Sequence, residues 1–287
     1  MDILYVTSFL NGFLMIAMPV ALAITLTRRW KLGWRFWLVG AAVFILSQVG
    51  HIPFLYWLTG LFKSNILPNP PAAWKDVFNA VLLGLLAGLF EELARYAMFR
   101  WWLKDARSWR KGVLAGAGHG GAEAISLGVI VLLAYVNFVI LRNPAAMATV
   151  PAGQVDAITA QVATYWSQPW YASLMGALER FLTIPVQICF SVIVLQTFTR
   201  KQWFWVWLAV LFHAVIDTTA VLAVPALGIY WTEVIVACFS VLSVLIIFRL
   251  RQPEPKEPTP TAPAPAPEIT LKPVVETPEN LDGSKFQ

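Results

Sequence analysis

Charged residues are scarce in this chain of 287 residues: they make up 13% of the sequence, whereas 58% of the residues are hydrophobic. Soluble domains average about 25% charged residues, so a soluble globular protein is excluded. The net charge of +5 would suit nucleic acid in a soluble protein, but here the basic residues lie in short segments between apolar runs, where they report membrane orientation. Nucleic acid is therefore not an expected partner.

Cysteine and histidine are also rare. Cys189 and Cys238 are the two cysteines, and both lie inside apolar runs, so neither a disulfide framework nor a zinc-thiolate site is indicated. The three histidines lie inside apolar runs as well, although imidazole is a polar group. This placement makes them candidates for a functional site.

Long apolar runs are what the sequence has instead. A membrane-spanning helix needs about 20 mostly apolar residues to cross the hydrocarbon core. Seven segments meet that requirement: Leu4 to Leu26, Phe36 to Leu61, Val77 to Phe99, Val113 to Leu141, Trp170 to Phe198, Trp203 to Val224 and Leu227 to Leu250. The sequence predicts an all-α, polytopic membrane helix bundle of about seven to eight transmembrane helices with the lipid bilayer as its surroundings.

The loops predict orientation and domain limits. The loops after the first, third and fifth predicted helices, together with the tail after the seventh, hold sixteen Lys and Arg residues. The remaining loops hold three. The positive-inside rule then places the N-terminus outside and the C-terminus in the cytoplasm, as expected for a protein of the bacterial inner (plasma) membrane. Residues 1–250 are expected to form the bundle, and the proline-rich residues 251–287 a disordered cytoplasmic tail. The roughly helical spacing of apolar residues in segment 143–168 predicts a helix on the outer surface of the membrane.

Several ionisable side chains interrupt the apolar runs. Each costs roughly 2.5–3.5 kcal/mol at the bilayer centre, so such residues are usually paired or functional. The candidate site residues are His51, Glu91, Glu92, Arg95, His119, Glu123, His213 and Asp217.

Helical spacing relates these residues to one another. Residues four apart lie on one helix face, which joins His119 to Glu123 and His213 to Asp217. Imidazole and carboxylate groups suit either a zinc site or metal-free acid/base chemistry. A buried ion pair on the third helix and hydrogen bonds that tie helices together remain the structural alternatives. The glycines around His119 favour close helix packing, and they also favour a hydrated cavity in the cytoplasmic half of the bundle.

The Glu-Glu-x-x-Arg run at Glu91, the Gly-His-Gly-Gly-x-Glu run at His119 and the His-x-x-x-Asp run at His213 resemble a superfamily of intramembrane peptidases. That superfamily includes the CAAX prenyl endopeptidases with their bacteriocin-processing relatives, the PrsW proteases and the Aph-1 subunit of gamma-secretase. The resemblance is closest to the YhfC-type membrane peptidases, and it covers roughly residues 1–250.

The resemblance implies that Glu91 is the general base that activates water, with Glu92 as the second base candidate. His119 and His213 would position the water, directly or through a metal ion, and Asp217 takes the place of an Asn that stabilises the oxyanion in the CAAX enzymes. Zn²⁺ is the expected cofactor, with His51, His119, Glu123 and His213 as ligand candidates and Arg95 as the counter-charge.

The expected function is therefore metal- or glutamate-dependent hydrolysis of a peptide bond in a membrane-associated protein or lipopeptide. One rival is a non-catalytic scaffold resembling Aph-1, in which the buried polar residues serve helix association. The other is an ion- or proton-coupled transporter, because intramembrane carboxylates and histidines also mark ion routes.

Overall fold

The computed structural model describes residues 3–254, and within this range it contains helices and no strand. The α-helices are α1 Ile3–Trp30, α2 Arg35–Lys63, α3 Lys75–Ala97, α4 Trp109–Leu141, α5 Pro144–Met147, α6 Val155–Ser167, α7 Met175–Thr199, α8 Phe204–Leu227 and α9 Ile229–Arg249. A five-residue π-helical turn, Met98–Trp102, extends α3. The predicted tail from residue 255 onward lies outside the described residues.

Seven helices are long and apolar enough to cross a membrane: α1, α2, α3 with its flanking turns, α4, α7, α8 and α9. The predicted all-α polytopic bundle is therefore confirmed, and the seven predicted spans match these helices to within a few residues. Between α4 and α7 the structure places a 13-residue helix, α6, where the sequence predicted a surface helix. Its Tyr165 stacks on Phe138 of α4, with the ring centroids 4.2 Å apart.

The two ends of the bundle differ in composition. At one end, called the N-terminal end here, α1 begins, α4 ends and α7 begins, and Arg142 donates to the Tyr5 hydroxyl at 2.7 Å. The opposite end, called the basic end, carries the arginine- and lysine-rich connections. There Trp30 packs against Trp109, with the ring centroids 5.7 Å apart. The indole of Trp109 in turn donates to the Ile247 carbonyl at 2.9 Å.

α7 is the central helix of the bundle. It packs against α1, α3, α4, α8 and α9, and most of its membrane-spanning stretch is buried inside the protein. Its side chains therefore face the other helices rather than lipid, which lets polar residues such as Gln187 lie within the span.

Glycines bring two helix pairs into backbone contact. A Cβ at Gly118 of α4 would lie 2.0 Å from the Trp37 carbonyl oxygen of α2, and a Cβ at Gly40 would lie 2.0 Å from the Ala115 carbonyl oxygen. On the α3 and α8 side, a Cβ at Gly88 would lie 2.7 Å from the Val210 carbonyl oxygen. Small residues permit such close approach in membranes. They bring the polar residues of α2, α3, α4 and α8 within reach of one another.

Candidate active site

The centre of the site is a buried charge cluster that joins α3 to α8. Glu92 and Arg95 lie one turn apart on α3, and both side chains are fully buried. Arg95 donates to Oε1 of Glu92, and Nδ1 of His213 lies 2.7 Å from the same oxygen. A buried charge is tolerated where it is paired and hydrogen-bonded. Glu92 therefore neutralises Arg95 and orients His213 as well.

Glu91 connects the cluster to α4 and α2. Its Oε2 lies 3.1 Å from Nε2 of His119 and 3.6 Å from a guanidinium nitrogen of Arg95. Its Oε1 accepts a hydrogen bond of 3.1 Å from the Gln48 side-chain amide. Three helices therefore converge on one carboxylate.

His213 joins the buried cluster to a more exposed carboxylate. Its Nε2 lies 3.4 Å from Oδ2 of Asp217, one turn further along α8, as the sequence spacing predicted. Its ring stacks on Phe190 of α7, with the ring centroids 4.5 Å apart. The imidazole therefore lies between two carboxylates, with Glu92 on its other nitrogen.

A polar chain leads from Arg95 toward the N-terminal end of α7. Arg95 donates to the side-chain oxygen of Gln187, and the Gln187 amide donates to Oε2 of Glu123 at 2.6 Å. Oε1 of Glu123 accepts from Arg180 at 2.6 Å, and Arg180 also contacts Glu179. Both oxygens of Glu123 thus have protein partners.

In the part of the chain that the structure describes, His51 and His119 each have a ring nitrogen without a hydrogen-bond partner. Nε2 of His51 and Nδ1 of His119 are buried and have no hydrogen-bond partner among residues 3–254. His51 stacks on Phe90, with the ring centroids 5.3 Å apart.

The structure therefore brings six of the eight predicted residues into one set of contacts, which comprises Glu91, Glu92, Arg95, His119, His213 and Asp217. Glu123 joins this set through Gln187. His51 lies beside it, packed on Phe90.

The chemistry of the donors suits zinc, because imidazole nitrogen and carboxylate oxygen are among its protein ligands. The arrangement of these donor side chains does not suit a zinc ion. In the described part of the chain, no three His, Cys, Asp or Glu side chains are grouped so that they could hold a metal ion. Arg95 lies against both Glu91 and Glu92 and supplies the positive charge that a metal ion would otherwise bring. The residues in this arrangement do not fit a resident metal ion.

Sequence reasoning missed two amide side chains, Gln48 and Gln187. Each lies inside an apolar run, and a neutral amide raises less suspicion there than a charge. Both are hydrogen-bonded to charged site residues. An amide within a predicted span that also carries an ionisable side chain, as α2 carries His51 and α7 carries Arg180, is the signal that could have found them.

Comparison with known proteins identifies the family of the chain. The family model described as YhfC intramembrane metalloprotease matches residues 14–240, which is most of the chain. The chain belongs to this family. The predicted resemblance to the YhfC-type proteins is confirmed, and protease activity is supported at the level of the family.

A relative in Bacillus subtilis (strain 168) bears the name uncharacterized membrane protein YhfC. The two sequences are 27% identical over 251 residues, which cover 85% of this chain and 95% of the relative. No solved structure matches the chain. The chain is an integral membrane protein, and a location in the bacterial plasma membrane agrees with this relative.

Proposed function

We propose that this protein is an intramembrane endopeptidase that hydrolyses a peptide bond in a membrane-associated protein or lipopeptide. The observation that carries the proposal is the contact of 3.1 Å between Glu91 and His119, on two different helices. A carboxylate beside an imidazole is a suitable pair for taking a proton from water and passing it to a leaving amine. The family description supports proteolysis as the reaction.

Glu91 is the general base in this proposal, and Glu92 is a positioning residue. The side chain of Glu92 is fully buried and is engaged by both Arg95 and His213. The side chain of Glu91 is 8% exposed and faces His119. A base must reach the water that it activates, which favours Glu91.

The remaining residues hold the base and face the substrate. Gln48 fixes one oxygen of Glu91, and Arg95 offsets one of the two carboxylate charges. His213 and Asp217 stand on the neighbouring helix, where they can contact the substrate carbonyl. The low-dielectric surroundings strengthen each of these electrostatic contacts.

The family description suggests a metal ion, and the sequence analysis predicts that this ion is zinc. A zinc ion would polarise the substrate carbonyl or activate water. Because the described side chains do not converge on a metal position, the steps proposed above use the protein's own residues.

The proposal can be tested without a known substrate. Membranes from cells that express the wild-type protein or a Glu91→Gln variant would be compared by mass spectrometry of new protein N-termini. We expect a small set of termini that are present with the wild-type protein and absent with the variant.

Asp105→Asn is a matched control, because this carboxylate pairs with Arg35 at the exposed basic end, outside the site. It should retain the wild-type termini. Glu91→Gln must also purify as a folded protein with a melting temperature close to that of the wild type. Identical termini in all three samples would contradict the proposal and favour a scaffold resembling Aph-1.

A further inference from the structure

We infer that the site opens toward the N-terminal end of the bundle. Resting on the proposed function, we also infer that its substrates present the scissile bond on the extracytoplasmic side, as exposed segments of exported or membrane-anchored proteins. This access differs from the cavity in the cytoplasmic half that the glycines around His119 favoured.

Tightly packed side chains separate the site from the basic end of the bundle. His119 is fully buried. On neighbouring turns, Gly116 lies against Ile188 and Ser191, and Gly118 lies against the backbone of Trp37. Four large side chains between the site and this end are fully buried: Met98, Phe99, Leu103 and Leu114. The glycines therefore seal the helices together instead of opening a water path.

Exposure of the site rises in the opposite direction. Glu92 and Arg95 have no exposed side-chain surface, and Glu91 has 8%. Glu123 lies one turn beyond His119 toward the N-terminal end, and its side chain is 20% exposed. Asp217, one turn beyond His213 in the same direction, is 38% exposed.

The exposed carboxylates must face water. An ionised group within the hydrocarbon region is costly when it faces lipid, so such groups face the bundle interior or a water-filled cavity. Glu123 is linked through Gln187 to Arg95, and Asp217 lies 3.4 Å from His213, so both exposed carboxylates adjoin the charge cluster.

The polar chain on α7 leads from this cluster toward the membrane surface. Glu179 and Arg180 lie four and five residues after the first residue of α7, about 6–8 Å along the helix from its start. The side chain of Glu179 is 43% exposed. A continuous polar route therefore runs from Arg95 through Gln187 and Glu123 to the N-terminal end.

The distribution of basic residues assigns a side of the membrane to that end. Arg28, Arg29, Lys31 and Arg35 lie in or beside the first connection, at the basic end. The two later connections at this end are basic as well. The positive-inside rule places this end in the cytoplasm and the opening of the site on the other side.

Labelling with a membrane-impermeant maleimide tests the access. The probe is added to intact spheroplasts or to inverted membrane vesicles that contain Asp217→Cys in a Cys189→Ala/Cys238→Ala background. Gly153→Cys and Gly33→Cys serve as matched controls for the N-terminal and basic ends, because a Cβ at either glycine meets nothing within 4 Å. We expect Asp217→Cys and Gly153→Cys to react in spheroplasts, and Gly33→Cys to react in inverted vesicles.

Other outcomes overturn the inference in distinct ways. Reaction of Asp217→Cys only in inverted vesicles, together with Gly33→Cys, means that the site opens to the cytoplasm. Reaction with a permeant maleimide alone means that the site opens to neither side. If Gly153→Cys also reacts only in inverted vesicles, the assigned side of the membrane is wrong. Glu123→Cys repeats the measurement if Asp217→Cys does not fold.

The labelling needs no enzymatic activity, so its result is separate from that of the proposed function. The substrate class is tested by the protein N-termini that depend on Glu91. We expect them to map to extracytoplasmic segments, and termini confined to cytoplasmic segments would overturn this part of the inference. If Asp217→Cys is labelled from the extracytoplasmic side but no terminus depends on Glu91, the inferred opening of the site is supported and the proposed peptidase function is contradicted.

Discussion

The side-chain amide of Gln48 donates to Oε1 of Glu91 at 3.1 Å and leaves Oε2 facing Nε2 of His119. The two oxygens of the proposed base therefore have separate tasks. One oxygen is held by α2, and the other faces the residue with which it would share a water molecule. A partner on α2 thus fixes the rotamer of a base on α3.

Gln48→Leu should lower the rate at which a Glu91-dependent protein terminus is produced by roughly 10- to 100-fold. This is the expected loss when a hydrogen bond to a charged group, about 1.5–3 kcal/mol, no longer orients the base. The rate would be followed by quantitative mass spectrometry of that terminus. Gln48→Glu is an informative companion, because it cannot donate while ionised and should not restore the rate. Wild-type processing in Gln48→Leu would contradict the positioning role.

Glu92→Gln should destabilise the protein far more than Glu91→Gln. Loss of the Glu92 charge leaves the fully buried Arg95 guanidinium without its closest partner, which costs about 3–5 kcal/mol. The measurement is thermal unfolding of the purified protein in detergent. A Glu92→Gln/Arg95→Met double variant should regain part of the loss. Equal melting temperatures for the two single variants would contradict the assignment of Glu92 to a positioning role.

Gly118→Ala should destabilise the bundle, whereas Gly33→Ala should not. The added methyl group at Gly118 meets a backbone carbonyl oxygen at 2.0 Å, and the backbone cannot yield without separating α2 from α4. Overpacking costs about 1–3 kcal/mol or more, while a Cβ at Gly33 has open space around it. Thermal unfolding of both variants provides the check. A wild-type melting temperature for Gly118→Ala would show that the two helices can move apart easily.

Purified protein should contain far less than one zinc ion per chain, and processing in isolated membranes should survive a zinc chelator. The reason is that Arg95 already pairs with both Glu91 and Glu92, and the described histidines do not converge on one point. Metal content would be measured by mass spectrometry beside a folded His119→Ala/His213→Ala variant. Near-stoichiometric zinc that disappears in the variant would contradict the metal-free arrangement and restore the expectation from the sequence.

The seven spans could be predicted because a long apolar run has one stable solution in lipid, a hydrogen-bonded helix. The contacts within the site were harder to predict. Spacing along one helix predicted the pair of His213 with Asp217, which the structure contains. Spacing also grouped His119 with Glu123, whereas the structure places His119 against Glu91 and Glu123 against Arg180.

Contacts between helices depend on which faces meet, and that is determined by packing rather than by spacing within one helix. The glycines illustrate the difference. From sequence, glycines around His119 favoured both close packing and a hydrated, loosened segment. In the structure, Gly118 and Gly120 lie against Trp37 and Gln187, so packing prevailed.

The two arginines that lie buried within the described bundle each have an acidic partner on their own helix: Arg95 has Glu92, and Arg180 has Glu179. During biosynthesis, each of these helices can therefore carry its arginine into the bilayer already paired, before the rest of the protein has been made. The partners on other helices, His213 for Glu92 and Glu123 for Arg180, are then needed to align the helices rather than to neutralise them. The same ion pairs that shape the site thus allow its helices to be inserted one after another.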